Sequence, residues 1–343
     1  MTTADQRSDR GIHQEAITRL HTFTRWPARK IWVMVTLMVL SAYLAWYAWH
    51  AGYWVLLVLS WAVLAYVMYG FVLSFHDASH RRLHPVAPLN ELFGHVVGSI
   101  SFVPLSVYRY AHSRHHAYLS TEKDPELWPF NAPRASRPFR MLMAALETVF
   151  GVIFTPVLFA RSVFVGEVSS RQRREISIGY SLCVLFWTVN LTVLVYSGML
   201  GEFLIVFGIP SLAAAMLQTL TKYTQHLGLH GRTVLGLTRT VIDKRYHGQL
   251  LSASMQYNDY HGTHHRYAMI PYYHLPSATP YALNTASERC PVFTSVAGAV
   301  IDMAPCLMNP KVWAQWKARD DAGESDEELA SQEEEVQASS LQR

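Results

Sequence analysis

The sequence predicts an all-α integral membrane protein: four transmembrane helices with a cytosolic helical cap. Three observations predict it. Four apolar runs, each close to the ~20 residues that cross a hydrocarbon core as a helix, contain no Asp, Glu, Lys or Arg. Half of the 343 residues are apolar and only 16% are charged, below the roughly 25% usual in soluble domains. The basic residues fall on one side of those runs.

Residues 1–30 form a polar cytoplasmic segment with Arg7, Arg10, Arg19, Arg25, Arg29 and Lys30. The first run is Ile31–Trp49 and the second Tyr53–Phe75; the third is Ile176–Leu200 and the fourth Phe203–Leu220. The links inside each pair, around His50–Gly52 and at Gly201–Glu202, are short and lack Lys and Arg. Arg81, Arg82, Arg161, Arg171, Arg173, Arg174 and Lys222 all fall on the other side. The positive-inside rule therefore puts both termini and the long connections in the cytoplasm. A bacterial inner membrane is expected rather than the endoplasmic reticulum. Trp and Tyr, 10 and 18 of them, suit the two membrane–water interfaces.

Two other apolar stretches are expected to be interfacial or re-entrant. Leu92–Val107 is short and holds Gly94, His95, Gly98 and Pro104; Phe139–Val165 is interrupted by Glu147, Pro156 and Arg161. The membrane domain is expected to occupy residues 31–318. Residues 319–343 form an acidic tail with little to bury, so disorder is expected. Cys183, Cys290 and Cys306 are far apart, which argues against a disulfide framework, a thiolate zinc site or an iron–sulfur cluster. No secretory signal is evident.

The 17 histidines carry the chemistry. HDASH supplies His76 and His80, HSRHH supplies His112, His115 and His116, and HGTHH supplies His261, His264 and His265. Residues at i, i+3 and i+4 share a helical face, so each cluster can present two or three rings to one centre. Neutral imidazole is a common transition-metal ligand. A dinuclear iron centre wants roughly eight or more donor atoms with open positions left, and these eight rings approach that. His226, just beyond the fourth run, is expected to add a ninth. Ligand rings need a partner for the second nitrogen; Asp77, His84, Asp124, Glu126, His230 and Asp259 are candidates. His95, His247 and His274 read as structural or supporting. One centre collecting all the clusters requires an even number of membrane crossings between them. Hence Phe139–Val165 should not span.

The three clusters, in this order around paired apolar runs, resemble the histidine boxes of the membrane fatty acid desaturase and hydroxylase superfamily. AYLSTEKDPELW after the second box and RYAMIPYYHLP after the third are similar to that family's continuations, and the resemblance covers about residues 30–280. It implies a cytosolic cap holding two iron ions, O2 as co-substrate, and a fatty acyl or related lipid substrate. O2-dependent desaturation is the leading expectation. Hydroxylation of a fatty acid or hydrocarbon, carotenoid-type oxygenation and alkene-forming decarboxylation are the alternatives within the superfamily. No haem-binding His-Pro-Gly-Gly segment occurs, so electrons should come from a separate ferredoxin, rubredoxin or cytochrome with its reductase. Membrane lipid is a partner; nucleic acid is not expected. A bis-histidine haem electron carrier is the rival of a different class. It would place paired histidines inside the spans, and HDASH lacks the Glu of a zinc-protease HExxH.

Overall fold

A computed structural model describes residues 14–23 and 28–314. The acidic tail and the basic residues Arg7, Arg10 and Arg25 lie outside the described residues. A short helix, α1 (residues 14–20), precedes α2 (Ala28–Ala51) and α3 (Trp54–Ser79). These two antiparallel helices cover the first two apolar runs. Their contact is made by small residues: Ala45 and Ala48 are fully buried, and Gly70 lets the Met34 side chain approach. Small residues allow close backbone approach where lipid gives helices no hydrophobic drive to associate.

Next come α4 (Ala87–Ile100) and α5 (Leu105–Ala117), joined at a bend of 98°. The bend is built on Gly98, where a Cβ would meet the Val103 carbonyl at 2.5 Å, and on Phe102 at φ 58°. Trp187 Nε1 donates to the Ser99 carbonyl (2.8 Å), and the Trp187 ring stacks on Phe102 at 4.3 Å. The turn is thus pressed into the side of α7 (Ser170–Tyr196).

Between α5 and α7 runs α6 (Arg137–Val165), 29 residues in two helical stretches that meet at a kink at Phe150, with an internal proline, Pro156. A proline removes an intrahelical hydrogen bond and clashes one turn back, so a bend is expected there. The last long helix has three parts: α8 (Leu200–Phe203), a π-helical turn Leu204–Gly208, and α9 (Ile209–His226). π-Turns leave a carbonyl poorly served; here Trp61 Nε1 donates to Ile205 O at 2.8 Å.

Among the described residues, five helices could cross a membrane by length and composition: α2, α3, α6, α7 and the α8–α9 unit. That is one more than the four expected, and the bent α4–α5 pair could make a sixth. Apolar length alone does not separate α6 from a span. The outer faces of these helices are apolar and open, with Val55 76% and Phe164 83% exposed. Each such side chain buried in lipid rather than water gains ~1.5–3 kcal/mol, so the architecture is that of a helical integral membrane protein.

The remainder, α10 (Tyr246–Ser254), α11 (His261–Arg266), α12 (Leu275–Asn284) and α13 (Val296–Met303), folds over one end of the bundle. Two short parallel pairings, β1 (His230–Gly231) with β4 (Trp313–Ala314) and β2 (Thr240–Val241) with β3 (Val292–Phe293), tie it together.

Candidate metal centre

Four helices bring the box histidines to one place: the last turn of α3, the C-terminal half of α5, the end of α9, and α11. The end of α3 is fixed by its neighbours. Asn90 Nδ2 donates to the Ala78 carbonyl at 3.0 Å, and Arg109 donates to the Ala78 and Ser79 carbonyls at 3.2 and 3.0 Å. These donors satisfy carbonyls that a helix C-terminus leaves open. Glu91 holds Arg109 in turn, through a two-point ion pair of 2.9 and 3.1 Å. The approach to α11 is clasped to α3. Gln256 Nε2 donates to Gly70 O (2.8 Å) and Ser74 Oγ (2.9 Å), while Gln256 and Tyr257 both adopt positive φ, 56° and 51°.

All nine histidines expected as ligands converge, and they sort into two sets. One holds His76, His80, His112, His116 and His264; the other holds His115, His226, His261 and His265. Within each set the donor nitrogens lie within 4.8 Å of one another. Each HxxHH box splits between them. In box two, the i and i+4 rings (His112, His116) go to the first set and the i+3 ring (His115) to the second. Box three does the reverse: His261 and His265 serve the second set, and His264 crosses to the first. The i+3 position lies on the other flank of the helical face from i+4, so one helix can serve two centres. The sets touch where His116 and His265 stack at 4.2 Å.

The donor geometry fits metal ions. Nε2 of His112 lies 2.9 Å from Nε2 of His80 and 3.1 Å from Nε2 of His116. In the second set, Nε2 of His261 lies 2.8 Å from that of His226 and 3.0 Å from that of His265. Two nitrogens bound at right angles to one metal at ~2.1 Å sit about 3 Å apart. A single ring nitrogen cannot make two good hydrogen bonds of this kind, but several lone pairs can share one cation. His76 Nε2 and His264 Nε2 are buried without a hydrogen-bond partner. Burial, then the charge of neighbouring groups, holds His261, His264 and His265 well below the usual imidazole range. They are therefore in the neutral form that binds metal.

Three of the expected orienting carboxylates meet a ring. His112 Nδ1 donates to Glu126 Oε1 and His115 Nδ1 to Asp124 Oδ2, each at 2.9 Å, and Asp77 Oδ1 lies 3.5 Å from His76 Nδ1. The loop that delivers the first two is locked. Asp124 accepts from Ser120 N and Glu126 N, and Asn131 Nδ2 donates to the Thr121 and Asp124 carbonyls. Burial pushes the Glu126 carboxyl above its ordinary range against the pull of His115.

The other three candidates stand apart from both sets. Asp259 accepts instead from Ser252, and burial raises its carboxyl to about 6. His84 accepts from Val86 N within its own turn, and His230 is exposed on β1. Of the lesser histidines, His95 and His247 are exposed and His274 is half-buried. Glu147, expected as an interfacial charge, is instead buried and paired with Lys222. Arg161 lies over the Trp128 ring at 4.1 Å. The sequence reading missed Tyr108, whose ring stacks on His112 at 5.1 Å. Its place four residues before His112 on the same helix was the available signal. Arg109 and Gln256 gave no such signal, because their partners are distant in sequence.

The fold and site define a class: a helical membrane protein with paired polyhistidine sites able to hold metal. The sequence profile of the Fatty acid desaturase family matches residues 52–297, and the chain belongs to that family. It is 26% identical over 291 residues to an omega-3 fatty acid desaturase, chloroplastic, of Glycine max, covering 76% of this chain and 62% of that one. An acyl-lipid omega-3 desaturase (cytochrome b5), endoplasmic reticulum, of Arabidopsis thaliana is 23% identical over 286 residues, covering 76% and 72%. An sn-2 acyl-lipid omega-3 desaturase (ferredoxin), chloroplastic, of Helianthus annuus is 24% identical over 256 residues, covering 68% and 57%. The chain thus spans less than two thirds of the soybean and sunflower proteins.

Proposed function

We propose that this chain is a membrane-bound, non-haem di-iron oxygenase that desaturates a fatty acyl chain with O2. The observation that carries the reading is the sorting of nine imidazoles, six buried and three half-buried, into adjacent sets of five and four. In a six-coordinate sphere the set of five leaves one position open and the set of four leaves two. We assign all nine as iron ligands, with Asp77, Asp124 and Glu126 orienting His76, His115 and His112. When bound, the iron pair supplies the O2-dependent oxidation that acid–base groups cannot perform on an unactivated C–H bond. The protein's own groups fix the ring planes and exclude water by burial. A haem held by two axial histidines would not use four or five converging nitrogens.

For the membrane arrangement we propose four spans, α2, α3, α7 and α8–α9, with α6 at the interface. The N-terminal half of α6 and the residues just past its C-terminus meet residues beside the boxes. Tyr223, three residues before His226, donates to the Ala144 carbonyl (3.3 Å); Tyr110, two residues before His112, donates to the Glu167 carbonyl (3.1 Å) just past the helix. The two short links lie at the opposite end, where His50 and Glu202 approach to 4.0 Å. This supports a site and termini on the cytoplasmic face, which we assign to a bacterial inner membrane. The domain limits 31–318 follow from the same scheme. Two electrons per turnover would come from a separate carrier. The related plant proteins are named for cytochrome b5 or ferredoxin.

The test is mass spectrometry of lipids and hydrocarbons from cells expressing the chain or its His264→Ala variant. New double bonds in acyl chains, absent with the variant, are expected. Hydroxylated acids or terminal alkenes in their place would overturn desaturation while keeping the oxygenase.

A further inference from the structure

The loop that orients His112 and His115 has a cationic neighbour. Lys222 lies on α9, four residues before His226, and Glu147 lies near the middle of α6. Their ion pair is buried: the Glu147 side chain is 2% exposed and the Lys222 side chain 15%. Tyr223 donates to the second Glu147 oxygen at 2.7 Å, and Thr219 donates to the Glu147 carbonyl at 3.3 Å. From this clamp, Lys222 Nζ also reaches the Glu126 main-chain oxygen at 3.4 Å. Glu126 accepts from His112, and its own N–H donates to Asp124, the acceptor for His115. One ammonium therefore stands between the carboxylate of α6 and a loop carrying two more carboxylates.

Taking an ion pair out of water is costly, and well-packed apolar residues often serve the fold as well. Packing of α6 on α9 does not require charge. Gly151 already fits against Ala215 and Thr219 one turn away.

We propose that Lys222, locked by Glu147, is a positioning residue for the metal centre. It holds the Glu126 carbonyl and offsets the loop's negative charge, so both carboxylates stay on Nδ1 of His112 and His115. These two rings serve different sets, so a single cation supports both. This rests on the di-iron reading above.

The experiment compares the purified full chain with Lys222→Met, Lys222→Arg, Glu147→Gln and the Lys222→Met/Glu147→Gln double variant. Each is titrated with iron(II), and iron content and the Mössbauer spectrum of iron-57 are recorded beside the far-UV CD. The wild type is expected to bind two irons. Lys222→Met should keep its helical CD, bind iron about 10–100-fold more weakly, and shift the quadrupole splitting of both sites. Lys222→Arg should restore the spectrum, and Glu147→Gln should shift it less, in the same direction. The double variant separates positioning from fold support. Removing both charges leaves no orphaned carboxylate on α6, so a purely structural pair predicts wild-type affinity and spectrum, whereas positioning predicts that the shift persists. If Lys222→Met fails to fold, the double variant and Glu147→Gln decide. A wild type with two irons and double and Glu147→Gln variants with unchanged affinity and spectra would overturn this proposal alone. A wild type that binds no iron would overturn the di-iron reading and the proposal with it.

Discussion

At the residue scale, each box histidine has to be neutral, aimed and held. Burial provides the first condition at His261, His264 and His265. The HxxHH spacing provides the second, and carboxylates on Nδ1 of His112 and His115 provide the third. His116 and His264 both belong to the five-nitrogen set, yet they come from different boxes. His116→Ala or His264→Ala should therefore empty mainly that set. We expect iron affinity there to fall by more than the roughly 10–100-fold typical of losing an outer partner. Iron content should drop toward one per chain, with turnover lost and the protein still in the membrane. Two irons and full turnover in a His116→Ala/His264→Ala variant would refute the ligand assignment.

At the element scale, α6 is the decisive case. Its 29 residues are long enough to cross a bilayer, and its outward residues Leu142, Val149, Ile153 and Val157 form an apolar stripe. Yet its inward face carries Glu147, and a charge at the bilayer centre costs at least ~2.5 kcal/mol on insertion scales. The Glu147–Lys222 pair near the end of α9, close to the histidines, agrees with an interfacial course. Single cysteines at Ser136 and Ser170, in a cysteine-free background, should both label from the cytoplasmic side. A cysteine at Ser197, just past α7, should label from the other side. Labelling of Ser136 and Ser170 positions from opposite faces would make α6 a span. The four spans proposed were legible because a charge-free run of about 20 residues has few other uses. The course of α6 was not legible from length, since an interfacial helix and a span can share it.

At the scale of the whole molecule, the proposed metal centre is also a structural joint. It gathers the ends of α3, α5, α9 and α11, so ions bound there would hold the cap to the bundle. A ligand that binds only the folded state stabilises it by RT ln(1 + [L]/Kd), about 2.7 kcal/mol at a hundredfold excess over Kd. Stripping the purified protein with a chelator should therefore lower its Tm in detergent. Restoring iron(II) should raise it again, whereas an unchanged Tm would argue against a shared metal joint.

The sequence by itself determined the apolar runs, the three boxes, and the carboxylates Asp77, Asp124 and Glu126, which lie one to fourteen residues from the rings they meet. Those features are local, and helical periodicity or short-range spacing exposes them. It also offered Asp259, His84 and His230 as partners by the same proximity. Nearness along the chain does not fix direction, and these three face elsewhere. Only the tertiary structure decided how the nine rings divide into five and four, that His226 joins His261 while His230 stays outside, and that Arg109, Gln256 and Lys222 support the site. The physical reason is that these contacts join residues about 30 to nearly 190 positions apart. Their partners are chosen by how helices pack, which no local pattern records.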